Sequence, residues 1–125
     1  MVTRNVALTE LPFRGISINA ETGSNVVAID VEAYDSGILF INKETNGTVT
    51  YTLPAVDEGK GKMWWFFNAN ASAALKIASP ATDMFASNTT ATSVTSATQI
   101  GECGFVFGDG TNYYFFETYG DWTTG

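Results

Sequence analysis

The chain has 125 residues, 45% of them hydrophobic and 15% charged, with a net charge of −7, no histidine and one cysteine. This composition suits one folded domain and excludes a disordered chain, while the lack of histidine removes Ser-His and Cys-His nucleophile pairs, most zinc sites and the usual general base near neutral pH. The six basic residues, Arg4, Arg14, Lys43, Lys60, Lys62 and Lys76, are scattered, so no phosphate-neutralising patch forms and neither nucleic acid nor an anionic membrane is an expected partner.

The first twenty-five residues are polar and irregular, with Pro12, Gly15 and Gly23. They read as an N-terminal arm (1–25) ahead of a β domain (26–125), with the Ile16/Ile18 alternation marking one extended piece. The opening MVTRNVALTELPF lacks the apolar core of a secretion signal. No apolar run approaches the roughly 18 residues of a membrane span, so a soluble protein maturing in a cytoplasm is expected.

From Val26 the pattern turns to strand. Val27, Ile29 and Val31 alternate with Ala28, Asp30 and Glu32, which predicts one wet face. After a turn at Asp35-Ser36-Gly37, Ile38–Ile41 is apolar on both faces. Asn46-Gly47 then predicts a tight hairpin into Thr48–Leu53, ended by Pro54. Met63-Trp64-Trp65-Phe66-Phe67 is again apolar on both faces, and Leu75-Lys76-Ile77 alternates before Pro80. Residues 86–99 are Ser/Thr/Ala-rich, a loop or a thin edge strand. Phe105-Val106-Phe107, a Gly108-Asp109-Gly110 turn and Asn112–Phe116 follow, with a last strand or docked tail ending at Trp122. No segment carries a helical apolar period over three turns. The expected fold is therefore all-β, an antiparallel sandwich or barrel-like domain of about eight short strands with an extended N-terminal arm.

Three of those strands carry a surplus of apolar residues. Neighbouring side chains leave opposite sides of a strand, so Trp64 and Trp65 cannot share one core, nor can Tyr113 and Tyr114 or Phe115 and Phe116. The second face needs a cover, and a subunit interface is the preferred one, built from Trp64, Trp65, Phe67, Tyr114 and Phe116. Trp64, Trp65, Tyr113, Tyr114 and Trp122 would also suit a carbohydrate site, where rings cover sugar faces.

Chemistry is sparse by comparison. Asp30/Glu32 and Asp57/Glu58 are the carboxylate pairs that a glycosidase-like centre would draw on, but they read as a solvated face and a turn. Asp109 reads as a turn residue rather than a calcium ligand. Cys103 reads as a small buried hydrophobe. No catalytic residues, no metal and no cofactor are expected, and the protein is expected not to be an enzyme.

From Val49 to Trp122 the chain resembles bacteriophage head decoration (cement) proteins and domains of phage head or tail fibres. The residues that carry the resemblance are Val49–Ala55 (VTYTLPA), the Gly59-Lys60-Gly61 turn into an aromatic strand, and Leu75–Pro80 (LKIASP). They continue with Ile100-Gly101, Phe105-Val106-Phe107, Asp109–Tyr114 (DGTNYY) and Gly120-Asp121-Trp122. The Met63–Phe67 strand is richer in aromatics than that pattern, and the arm matches none of it. The resemblance implies a homotrimeric virion protein, made in the bacterial host cytoplasm and docked on the capsid exterior, where it clamps the major capsid protein. The arm around Leu11, Pro12, Phe13 and Arg14 would then meet the shell or an adjacent copy. The alternative is a carbohydrate- or receptor-binding module of a phage tail or head fibre.

Overall fold

The computed structural model describes residues 14–19, 27–45, 47–86 and 88–125. The protein is all-β; among the described residues the two helical pieces are single 3-10 turns at Ala33–Asp35 and Val56–Gly59. In chain order the strands are β1 (Gly15–Asn19), β2 (Ala28–Asp30), β3 (Ile38–Asn42), β4 (Val49–Thr52), β5 (Met63–Asn68), β6 (Leu75–Ala78), β7 (Met84–Ala86), β8 (Thr89–Ala91), β9 (Ser93–Ser96), β10 (Cys103–Gly108), β11 (Tyr113–Tyr119) and β12 (Trp122–Thr124). They form a seven-stranded sheet, ordered β1-β3-β5-β10-β11-β7-β8, and a five-stranded sheet, ordered β12-β9-β6-β4-β2.

The first six strands alternate between the two sheets, and within each sheet they stack in parallel. This is a solenoid-like winding rather than the expected antiparallel sandwich. A parallel pair cannot be closed by a two-residue turn, so the chain crosses to the other sheet between each strand and its neighbour. Consequently β3 and β4, which Asn46-Gly47 was expected to join as a hairpin, lie in different sheets. Among the described residues antiparallel pairing appears only in the later part, where β10 pairs with both β5 and β11, β9 with both β6 and β12, and β7 with β8. The β10–β11 pair is a true hairpin, turned at Gly110 with φ +93°.

Residues 15–19 lie within the segment read as an arm, yet they form an edge strand against β3. The Ser/Thr-rich tract is likewise structured, as β8 and β9. Ser96 makes this possible: its hydroxyl accepts from the Leu75 amide at 2.9 Å and donates to the Ala97 carbonyl at 2.9 Å. A buried small polar residue is tolerated when its hydrogen bonds are made.

Between the sheets lies one core, including Tyr51, Leu53, Trp64, Phe66, Leu75, Ile77, Val106, Tyr113 and Phe115. Phe40, Tyr51 and Phe66 meet with ring centroids 5.5 Å apart. At one corner of the winding, Asn19, Asn42 and Asn68 fall in register on consecutive parallel strands. The Asn42 carboxamide donates to that of Asn68 at 3.1 Å, and Asn68 donates on to the carbonyls of Asn70 (3.2 Å) and Ala73 (3.0 Å). This stack satisfies backbone carbonyls where the chain leaves the larger sheet, which buried turns require.

Candidate functional site: the outer face of the larger sheet

Strand parity sorts the larger sheet into two faces. On β5, Trp64, Phe66 and Asn68 are buried, whereas Met63, Trp65 and Phe67 are half-exposed. The same alternation runs along β10, placing Cys103, Phe105 and Phe107 outward.

Register then assembles the outward residues into rows across five strands. The central row reads Ile16–Leu39–Trp65–Phe105–Phe116. One side row reads Ile18–Ile41–Phe67–Cys103–Tyr119, and the other Met63–Phe107–Tyr114–Phe85–Thr90. No position in these rows is charged. Strands about 4.8 Å apart and rows about 6.7 Å apart give a flat outline on the order of 500 Å² before side-chain relief is counted.

The rings on this face are ordered against one another. Trp65 meets Phe105 at 4.7 Å, Phe105 lies parallel to Phe116 at 4.9 Å, and Phe107 bridges Phe116 (5.3 Å) and Tyr114 (5.2 Å). The largest exposures are at the rim, with Ile16 at 56%, Ile18 at 55%, Tyr119 at 60% and Phe116 at 44%. Tyr114 also donates its hydroxyl to Asp109 at 2.5 Å. That bond, helped by the Thr111 and Asn112 amides, holds the Asp109 carboxyl below its usual range and raises the Tyr114 phenol. Asp109 is thus occupied by its own turn.

Of the five residues expected at an interface, four share this outer face: Trp65, Phe67, Tyr114 and Phe116. Trp64 does not. It has no exposed surface and packs edge-on against Tyr113 at 6.0 Å inside the core. Parity dictates that one of the two tryptophans turns inward, and the sequence does not say which. Leu11, Pro12 and Phe13 lie outside the described residues. Arg14 closes on its own chain, its guanidinium donating to the carbonyls of Ser36 (2.6 Å) and Tyr34.

The remaining candidates fall apart as a site. Asp30, Glu32, Asp57 and Glu58 are all exposed, on β2, beside the first 3-10 turn and within the second. Cys103 is half-buried on the outer face rather than in the core. Desolvation raises its thiol pKa, only partly offset by a hydrogen bond with the Tyr119 backbone, so the thiol form is favoured. Among the described residues no group of three Cys, Asp or Glu is placed to hold a metal ion. Trp122 is buried against Phe115, 4.8 Å away.

Two carboxylates went unnoticed in the sequence. Glu102 is fully buried and accepts from the amides of Ala97 (3.2 Å) and Asp121 (3.0 Å), tying β12 to the end of β9. Glu44, also fully buried, accepts from the Thr45 amide at 2.9 Å. Neither sits in a motif; their burial follows from corners of the fold that no local pattern announces. Compared with known proteins, the chain matches no protein-family profile and no curated sequence.

Proposed function

We propose that the protein is a virion structural protein that works by assembly, decorating the exterior of a phage capsid as a homotrimer and gripping the major capsid protein. The observation that supports this reading is the uncharged outer face of the larger sheet. A monomer's largest apolar patch is about 300–600 Å² and often functional. Stable interfaces bury about 800 Å² per partner, an area within reach of this face once ring relief is added. The resemblance between Val49 and Trp122 supplies the capsid and the trimer. The acidic net charge of −7 fits a protein that assembles on a shell without trapping DNA.

In such an assembly the energy comes from mass action: a surface that binds only folded partners stabilises the bound state. Trp65, Phe67, Tyr114 and Phe116 are the anchors of this reading, since aromatic residues dominate interface hot spots. Chromatography coupled to light scattering tests it. Three times the 13.4 kDa of one chain is the expected mass. A monomer at micromolar concentration overturns the trimer.

A further inference from the structure

The larger sheet has a notch on one side. β11 runs for seven residues, Tyr113–Tyr119, but its neighbour β7 pairs only with Tyr113 and Tyr114. The chain then leaves β7 after Ala86 and turns back as β8. Asn88 stands in that turn with φ +66°, a left-handed conformation that asparagine adopts more readily than most residues. Where β7 stops and β11 continues, an open cleft of about 510 Å³ remains, lined by Phe85, Tyr114 and Phe116 together with Asn88, Thr89 and Thr90.

The lining has two chemistries and they are segregated by element. β7 and β11 contribute rings: Phe85 is 39% exposed and Phe116 44%, with the Tyr114 ring 5.5 Å from Phe85. The β7–β8 turn and β8 contribute Asn88 and, on the face that carries Phe85, the Thr90 hydroxyl, while the Thr89 hydroxyl leaves the other side of the strand and donates to the Thr90 carbonyl at 3.2 Å. Among the described residues no charged side chain lines the cleft.

We propose that this cleft binds a neutral saccharide. A pyranose ring has an apolar C–H face and a rim of hydroxyls, and the cleft offers rings for the first and small polar groups for the second. The absent charge disfavours phosphates, nucleotides and acidic sugars, which would enter without a cation to meet them. A purely apolar ligand would desolvate the Asn88 carboxamide and the Thr90 hydroxyl without offering either a hydrogen bond. The cleft volume falls within the usual range for small-molecule sites. The inference does not rest on the assembly reading, but Tyr114 and Phe116 belong to both, so a sugar seated there competes with a subunit contact on the same strand.

Two-dimensional amide NMR of the full chain tests the site, with D-glucose, D-galactose, D-mannose, N-acetyl-D-glucosamine and cellobiose as probes. At least one sugar is expected to shift the amides of residues 85–90 and 114–116 saturably. Phe116→Ala is expected to weaken that binding about tenfold, as loss of one ring contact implies, and Phe116→Tyr to restore it. Asn88→Gly keeps the turn and is expected to weaken binding as well. The same titration on Leu39→Glu, altered three strands away, separates the cleft from the assembly reading: saturable shifts there uphold the site whatever the oligomeric state. No shift by any probe in either protein overturns the proposal, as do shifts that persist unchanged in Phe116→Ala and Asn88→Gly. Shifts along Glu117–Tyr119 on adding an extended valine-rich peptide, with none from the sugars, assign the notch to strand addition and likewise overturn it.

Discussion

The two sheets share one construction and differ in their outer faces. On the smaller sheet the row Ile29–Tyr51–Ile77–Val94 faces the core, and the rows flanking it outside read Ala28–Thr50–Lys76–Thr95–Thr123 and Asp30–Thr52–Ala78–Ser93. That is ordinary alternation, apolar within and polar or small without. On the larger sheet the inward row through Trp64 and Val106 is matched by outward rows of Ile, Leu, Phe, Tyr and Trp. Core formation explains the inward rows of both sheets and the outward rows of neither. The smaller sheet shows that this fold does not require an apolar exterior, so the larger sheet's exterior has a separate purpose.

The contrast breaks most sharply on a single strand. Phe66 is 1% exposed and Phe67 points the other way. Phe66→Ala is expected to cost about 3–5 kcal/mol of unfolding free energy, the usual loss for emptying a core aromatic site. Phe67→Ala is expected to cost far less in the isolated chain and to weaken association instead. Urea unfolding of dilute protein, set beside sedimentation at higher concentration, separates the two. Equal losses in folding stability would erase the distinction between the faces.

Next in size is a charge placed on the face. Leu39 sits in the central outward row, between Ile16 and Trp65. Leu39→Glu is expected to raise the dissociation constant of self-association more than ~30-fold, equivalent to about 2 kcal/mol, as removal of a hot spot does. Thr50→Glu on the smaller sheet is the matched control and is expected to leave association unchanged.

How much of this was legible depends on whether a feature is local. Strand alternation is local, so the parity of β4 and β6 and the existence of a surplus aromatic face could be read directly, whereas β5 and β10, apolar on both sides, do not say which face is inward. The Gly108–Gly110 turn could too, because a hairpin is closed by the residues that form it. Pairing partners are not local. Nothing in Thr48–Leu53 says that it lies beside residues 28–30 and 75–78, and Asn46-Gly47 is as compatible with a corner as with a hairpin. Burial of Glu44, Glu102 and the asparagine stack follows from those non-local pairings. So does the division between Trp64 and Trp65, which a shift of one residue in register would have reversed.

The corner stack offers a third, smaller effect. Asn68→Ala removes the acceptor of Asn42 and the donor to two buried carbonyls. A loss of about 1–2 kcal/mol is expected, the cost of leaving buried polar groups unpaired. Asn68→Asp, nearly isosteric but with a buried carboxylate turned toward those two carbonyl oxygens, is expected to cost at least as much as alanine at neutral pH. A corner held by packing alone would tolerate Asp better than Ala.

The smallest effect lies in two core tyrosines that differ in one hydrogen bond. Both are fully buried. Tyr113 donates to the Pro54 carbonyl at 2.7 Å, whereas the Tyr51 hydroxyl has no partner among the described residues. Tyr113→Phe is expected to cost about 1 kcal/mol, and Tyr51→Phe to be neutral or stabilising by up to ~1 kcal/mol, since it removes a desolvated hydroxyl that gains nothing in return. Burial raises both phenols, and for Tyr113 the carboxylates of Asp83, Glu58 and Asp57 raise it further. A raised folded-state pKa means the unfolded tyrosine ionises first. Their contribution is therefore complete below the ordinary tyrosine value of about 10 and is lost as the pH climbs above it. Urea midpoints are expected to be insensitive to these tyrosines from pH 7 to 9 and to fall beyond 10, less steeply in each Phe variant. A decline of equal slope in wild type and Tyr51→Phe would show that the ring ionises as easily in the fold as outside it, and that the core between the sheets is wetter than its packing implies.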